Sequence, residues 1–335
     1  MKYIIEPRPS AASPIPICSA RGDASTILMN AGYTPFYFPR TRVKGKVDKI
    51  MQKLQFVGDC MRLYIRLKPE DAVFMQWPYS ERLIKLLYYA LKKKCKSLTM
   101  LVHDIDKLRS ISSERQRAIE QDFMRAASRI IVHSEEMKNI IKEDYGVPGE
   151  NMVVLTSFDY LTKDEITRPI KKTKDVVFVG QLDKSSFLDK VTESNLGIHI
   201  NLYGRYEKDM GKDVTYKCKF RADNVSVFEG SWGLVWNGDT VDECTGPMGE
   251  YLRWNAPHKL SLFTVAHLPI IIWDKAAKAQ YVKDKGIGIC VSSLREIASR
   301  IDKITDAEYK EMVENISQES EKLRKGEHLL ECLQN

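Results

Sequence analysis

No apolar run in this chain approaches the ~20 residues that a helix needs to cross a bilayer, so a membrane-spanning protein is not expected. Residues 1–5 are followed at once by Glu6-Pro7-Arg8-Pro9, without the apolar core and cleavage site of a secretory signal. A cytoplasmic protein is expected. The seven cysteines (18, 60, 95, 218, 244, 290 and 332) are scattered, and no Cys-x-x-Cys pair occurs. That argues against a zinc ribbon and a disulfide framework and for reduced, buried thiols. No Lys/Arg stripe interleaved with aromatics is present, so nucleic acid is not an expected partner. There is no transparent short repeat.

What is present points to a soluble α/β protein. A chain of 335 residues suits two domains. Its 43% hydrophobic and 29% charged content is ordinary for that class. The net charge of +7 favours anionic partners such as nucleotides or membrane surfaces.

Strand and helix patterns alternate. Residues 1–17 read as an irregular lead or a short strand plus loop. Residues 19–30 read as a helix that Gly32 ends. A strand at 33–39 precedes a long helix at 47–67, with Ile50, Leu54, Val57, Met61 and Tyr64 at helical spacing. Strands at 71–79, 98–102, 129–133 and 152–155 alternate with helices at 80–96, 113–127 and 134–145, the last capped by Ser134. After a polar, charged linker the alternation resumes. Strands are expected at 176–179, 198–203, 225–228, 269–273 and 287–291, and helices at 255–268, 276–285, 293–304 and 306–333. The expected fold class is therefore α/β, with two mostly parallel, Rossmann-like sheets facing a cleft. The domains are 1–157, a linker at 158–175, 176–316, and a C-terminal helix at 317–335 that packs back toward the first domain. Ligands of such sheets bind at the carboxyl ends of the strands.

The most informative stretch is 255–289. Asn255-Ala-Pro-His258-Lys259-Leu-Ser261 opens an apolar helix, and a buried strand and Gly286-Ile-Gly288 follow. Bare amides and the positive end of a helix dipole attract phosphate, and Lys259 adds a full charge. The expected ligand is the diphosphate of a nucleotide-sugar. A solvated Lys at a helix start is the alternative, although cations are unfavourable at that dipole end.

Further motifs fall in order along the chain. They are Ala20-Arg21-x-Asp23 with Ala31-Gly32-Tyr33; His103-Asp104-Ile105-Asp106-x-Leu108-Arg109; and Ile131-Val132-His133-Ser134-Glu135-x-Met137 with Phe158-Asp159-Tyr160-Leu161. Gly230-Ser231-Trp232-Gly233-Leu234-Val235-Trp236 and Ala266-His267-Leu268-Pro269-Ile270-Ile271 complete them. Together with 255–261 they resemble the twin-Rossmann glycosyltransferase architecture called GT-B. Within it they resemble the bacterial glucosyltransferase 3 group, which has galactofuranosyltransferase-like members. The resemblance implies transfer of a hexose, glucose being the expected one, from a UDP-sugar to a carbohydrate or glycosylated-protein acceptor. It implies no metal or other cofactor, a homo-oligomer, and a role in protein glycosylation or surface polysaccharide assembly. The acidic residue that many GT-B members set on the ribose is not obvious after Pro269; Asp274 is the nearest candidate.

Candidate residues then sort by role. Gly180, Gln181, Tyr203, Arg205, Ser231, Trp232, Asn255, His258 and Lys259 are assigned to the nucleotide-sugar. In that set Arg205 offers a two-pronged guanidinium to phosphate, and Trp232 offers a face for uracil or sugar. The alternatives are ordinary strand-to-helix turns and a core Trp. His103 and Asp104 are the candidate bases for the acceptor hydroxyl. Arg21, Asp23, Asp106 and Arg109 are assigned to the acceptor; for Arg21 and Asp23 an exposed ion pair is the alternative. Three further readings stay open: a helix cap at Asp106, a metal-binding Asp104-x-Asp106 as in a GT-A enzyme, and a non-catalytic subunit of a glycosylation complex. Lys92-Lys93-Lys94-Cys95-Lys96 suits a helix C-terminus, with peripheral membrane contact as its alternative.

Overall fold

The computed structural model describes residues 1–9, 19–39, 45–79, 83–105, 113–166, 170–205 and 211–334. The chain divides into two compact units. Unit 1 comprises residues 1–16, 21–155 and 329–335, and unit 2 comprises 17–20 and 156–328.

Unit 1 alternates β1 (Lys2–Pro7), α1 (Ala20–Asn30), β2 (Thr34–Phe38), α2 (Lys46–Arg66), β3 (Ala72–Trp77), α3 (Ile84–Lys94), β4 (Ser97–Val102), α4 (Glu114–Ala126), β5 (Arg129–Val132), α5 (Glu135–Tyr145) and β6 (Met152–Val154). Its sheet runs β2-β1-β3-β4-β5-β6, and every pair is parallel. Tyr3, Ile4, Ile5, Val73, Phe74, Met75, Met100 and Leu101 are buried along both faces. Such near-continuous apolar strands are what a parallel sheet covered by helices on both sides demands.

Unit 2 contains β7 (Asp175–Gly180), α6 (Val191–Ser194), β8 (His199–Gly204), β9 (Val214–Cys218), β10 (Trp232–Val235), α7 (Gly246–Glu250), α8 (His258–Val265), β11 (Ile270–Trp273), α9 (Ala279–Asp284), β12 (Gly288–Val291), α10 (Ile297–Lys303), α11 (Asp306–Lys325) and α12 (Glu327–Gln334). The last of these passes into unit 1 at Leu329. The second sheet, β12-β11-β10-β7-β8-β9, is also parallel throughout. In both sheets strand order reverses beside the first strand of the unit, between β1 and β3 and between β7 and β10.

Several elements differ from expectation. The strand expected at 225–228 is irregular backbone, and β9 at 214–218 is the sixth strand instead. As an edge strand only Val214 of it is buried, so its apolar pattern is weak. The linker expected at 158–175 begins as a packed segment of unit 2. Ser157 Oγ lies 3.0 Å from Ser261 Oγ, which donates to the Phe158 carbonyl at 2.6 Å. The Tyr160 hydroxyl donates to the Ala222 carbonyl at 2.6 Å. These hydrogen bonds lie at the start of the stretch; its charged residues Lys163, Glu165 and Lys171 are exposed. The helix expected at 306–333 is broken at Gly326, whose φ of 75° ends α11. Unit 2 retains α11 and the chain as far as His328, because Glu319 is buried against His328 Nε2 at 2.9 Å and the Tyr281 hydroxyl at 2.8 Å. Burial alone would raise the Glu319 carboxyl, but these hydrogen bonds and nearby charges hold it down at about 2. From Leu329 onward the chain belongs to unit 1, where Arg129 donates to the Cys332 carbonyl at 2.8 Å.

Helix α8 is seated by a close approach. A Cβ built on Gly233 of β10 would lie 2.3 Å from Cγ of Phe263, so only glycine lets the ring lie on the strand. Gly233→Ala is expected to destabilise unit 2 by about 1–3 kcal/mol through overpacking, measured by denaturant unfolding, with Phe263→Leu in the same chain recovering part of the loss.

Candidate functional site

The reversal between β7 and β10 is where a ligand of an open parallel sheet binds, at the carboxyl ends of the strands. Lys259, the second residue of α8, is placed there. Its Nζ donates to Oδ1 of Asn237, just past β10, at 3.2 Å. It also lies 4.1 Å from the ring centre of Phe178 in β7. A Cβ on Gly180, the last residue of β7, would sit 3.5 Å from the same Nζ. Among the described residues no carboxylate pairs with this ammonium. Its titratable neighbour Cys244 is itself pushed up to about 12 by burial and stays a neutral thiol. Desolvation therefore lowers Lys259 to about 7. A cation held in this way lacks a counter-anion.

The other residues assigned to the nucleotide divide into two groups. Gly180, Gln181 and Arg205 stand at the same strand ends. A Cβ on Gly204, the last residue of β8, would fall 2.2 Å from the Gly180 carbonyl, so the ends of β7 and β8 close together and exposed Arg205 follows directly. Asn255 lies three residues before α8, and its Oδ1 is buried without a hydrogen-bond partner among the described residues. An orphan acceptor wants a donor, such as a sugar hydroxyl, and not a phosphate oxygen. His258 stacks on Tyr160, with ring centres 4.9 Å apart and planes at 22°. Burial lowers it to about 4, so it is neutral and brings no charge to an anion.

Ser231, Trp232 and Tyr203 are core residues. Ser231 and Trp232 stand at the start of β10, the end of the sheet away from the ligand edge. Trp232 is fully buried against Tyr309 and donates to the Thr173 carbonyl at 3.0 Å. Ser231 Oγ bonds Thr173 and the Lys171 carbonyl. The Tyr203 hydroxyl is engaged by the Val227 carbonyl and the Glu229 amide. Their assignment to a ligand is corrected. Strand polarity sets Ser231 and Trp232 away from the ligand edge, whereas Tyr203, next to last in β8, stands at the carboxyl end but is buried with its hydroxyl engaged inside the fold. Asp274 is exposed after β11. Asn237 and Phe178 were missed; the signal for Asn237 was its place in the loop after a buried strand next to the reversal.

In unit 1 the reversal between β1 and β3 gathers a polar network. Gln76, near the end of β3, donates through Nε2 toward Glu6 Oε1 at 3.1 Å, Ser25 Oγ at 2.8 Å and the Arg21 carbonyl at 3.1 Å. Its Oε1 faces His103 Nε2 at 2.7 Å. The amide nitrogen is thus turned to acceptors and the amide oxygen to the imidazole of His103. Burial raises the Glu6 carboxyl despite hydrogen bonds from Ser25 and Gln76 and the charge of Arg21. Desolvation lowers Arg21, opposed by Asp104 and Glu6. Arg21 Nη2 donates to the Pro78 carbonyl at 2.7 Å, and Asp23 is 1% exposed. The pair is thus built into the fold and is not an exposed ion pair. Glu6, Ser25 and Gln76 were missed: Ser25 and Gln76 sit inside helix and strand patterns that read only as core, and Glu6 lies in β1, where an irregular lead or a short strand plus loop was expected. Asp106 and Arg109 lie outside the described residues.

Comparison with known proteins agrees with both halves. Residues 3–157 match the family model described as "Glucosyltransferase 3-like, N-terminal domain", and residues 176–335 match its C-terminal counterpart. The chain is 29% identical over 274 residues to "Beta-1,6-galactofuranosyltransferase WbbI" of Escherichia coli K12, covering 80% of this chain and 79% of the relative. It is 24% identical over 270 residues to "Glucosyltransferase 3" of Streptococcus parasanguinis, covering 78% and 76%. The solved structure of Anabaena Alr3699/HepE, in complex with UDP and glucose, superposes with a TM-score of 0.58 at 12% identity, covering 100% of this chain and 99% of that one.

The unpaired ammonium has a stability signature. Lys259→Met is expected to raise the melting temperature of the ligand-free protein by a few degrees near pH 7. The folded-state value is below the ordinary 10.5, so the cation is penalised in full below pH 7. The gain should therefore shrink as pH rises from about 7 toward 10.5, as thermal melts across that range would read.

Proposed function

The chain belongs to the glucosyltransferase 3-like family and is a glycosyltransferase of GT-B architecture, and from that premise we propose that it moves a hexose from a UDP-sugar, with glucose as the donor sugar, to a carbohydrate or glycosylated-protein acceptor without a metal. The observation that carries this reading is Lys259: a desolvated ammonium without a counter-anion, at the strand reversal of unit 2, over Gly180. A pyrophosphate supplies the missing charge. As the sugar–phosphate bond breaks, charge grows on the departing UDP, and a preorganised cation in a poorly solvated site stabilises it more than water does. In this reading Arg205, exposed just after β8, adds a second donor pair. The Asn255 carbonyl oxygen accepts from a ribose or hexose hydroxyl.

Unit 1 takes the acceptor in this reading. His103, with Nε2 2.7 Å from Gln76 Oε1, is the base for the acceptor hydroxyl in this reading, with Asp104 beside Arg21 as the alternative base. If the anomeric centre is retained, the leaving phosphate itself takes that proton and the His103 network only orients the acceptor. Transfer of galactofuranose is a second donor reading, favoured by the similarity to the Escherichia coli relative.

The test is calorimetry and a thermal shift with UDP and a panel of UDP-sugars. UDP should stabilise the parent protein, and Lys259→Ala should weaken its binding by more than about tenfold. Binding should also take up a proton above pH 7, so affinity should fall with rising pH by as much as ~tenfold per unit. Unchanged UDP affinity in Lys259→Ala sinks the proposal, and loss of transfer in EDTA sinks its metal-independence. His103→Ala should lower transfer by about 10²–10⁴ in kcat if it is the base, with UDP affinity unaltered; a drop confined to the acceptor KM assigns it to orientation instead.

A further inference from the structure

Helix α2 has two apolar faces. Phe56, Cys60, Leu63 and the following Leu67 point inward and are buried. At about 100° per residue, Val47, Ile50, Met51, Leu54, Met61 and Ile65 fall within one arc on nearly the opposite side. Their exposures run from 51% at Met51 to 77% at Ile65. Helix α3 lies beside α2, with Lys94 Nζ 4.6 Å from the ring centre of Tyr64, and it adds exposed Leu86 and Tyr89 at 40% and 62%. A run of exposed apolar side chains of this length on one face marks a contact surface.

The charge around the stripe selects the partner. Lys46, Lys49, Lys53, Arg62 and Arg66 on α2 and Lys85, Lys92 and Lys93 on α3 are exposed. Lys46 and Lys53 flank the stripe on one side, and Arg62 and Arg66 on the other. The two helices carry only Asp48 and Asp59 as acids. Asp59 is buried and bonded to Arg8 and Arg62. A second copy laid on the same face would bring like charges together across the contact, which is unfavourable. A surface that accepts both apolar side chains and an excess of cations is an anionic lipid headgroup layer: the apolar residues enter the acyl boundary while long basic side chains reach the phosphates. No helix among the described residues is long and apolar enough to cross a membrane, so the contact is peripheral.

We propose that unit 1 docks on an anionic phospholipid bilayer through the outer face of α2 and the adjoining turns of α3. The proposal is independent of the donor assigned above. The experiment is co-sedimentation of the full chain with vesicles of phosphatidylcholine alone and of phosphatidylcholine mixed equally with phosphatidylglycerol. The chain should partition onto the mixed vesicles at least about tenfold more strongly than onto the neutral ones, and less so at high salt. The triple variant Ile50→Ser, Leu54→Ser, Met61→Ser should lose more than about tenfold of that binding. All three side chains are exposed, so its melting temperature should stay at the parent value. Lys53→Glu with Lys93→Glu should give a similar loss without touching the stripe. Absence of binding to the mixed vesicles overturns the proposal, as does binding that survives the triple variant. Sedimentation velocity supplies the remaining outcome: a triple variant that changes the oligomeric state of a chain that ignores vesicles assigns the face to self-association and overturns the lipid proposal.

Discussion

An ammonium pressed against a phenyl ring and a glycine backbone, with no carboxylate among the described residues to answer it, is the constraint around which the second unit is organised. Such a group is costly to fold. It is held only because everything around it is fixed. Gly233 lets Phe263 seat α8, Gly204 lets the ends of β7 and β8 close, and Asn237 takes one hydrogen bond from Lys259. Each piece is a packing feature by itself. Together they hold a positive charge at the strand reversal, the place where an open parallel sheet binds ligands. Preorganisation of this kind places the electrostatic cost in the ligand-free state, where folding of the rest of the unit offsets it.

Unit 1 uses the same topology with a different solution. Its reversal point holds a closed polar network in place of an isolated charge: Glu6, Ser25, Arg21, Gln76 and His103 form hydrogen bonds with each other or with main-chain carbonyls. A satisfied network orients groups without storing much energy. Under the function proposed above, the contrast suits a diphosphate, recognised by net charge, in unit 2 and a neutral hydroxyl acceptor, which needs direction, in unit 1.

Much of the fold was legible because α/β alternation writes a strong pattern. Buried parallel strands such as 72–77 and 270–273 are nearly all apolar, and Gly32, Gly146 and Ser134 mark helix boundaries. Edge strand β9 was not legible, because only Val214 of it is buried and Thr215 and Lys217 interrupt its apolar pattern. Of the site, Lys259, Gly180 and His103 could be found from motif position. Trp232 and Ser231 misled because sequence shows that a strand is present but not that a ligand sees only its carboxyl end. Residues just after a strand are candidates; those that begin one are floor. Gln76 was hidden for the converse reason: a polar residue inside a buried strand looks like an imperfection in a core until the strand order brings strand ends together.

Helix α2 shows a further limit of periodicity. A spacing of three and four residues says that an apolar stripe exists, and the natural inference is that it faces the core. Here Ile50, Leu54 and Met61 satisfy that spacing and are exposed, while Phe56, Cys60 and Leu63 satisfy it equally and are buried. Both stripes fit one helix because most of its polar residues lie in the two flanks between them; Lys46 and Lys53 make one flank cationic, and on the other Arg62 and Arg66 stand with Asp48 and the buried Asp59. A helix of this kind in a monomer surrounded by water exposes apolar area without return. That cost is relieved only where a second medium meets the outer stripe. The same basic flanks that keep two copies of the helix apart are the ones an anionic interface attracts, so the charge distribution decides between the two ways of covering it.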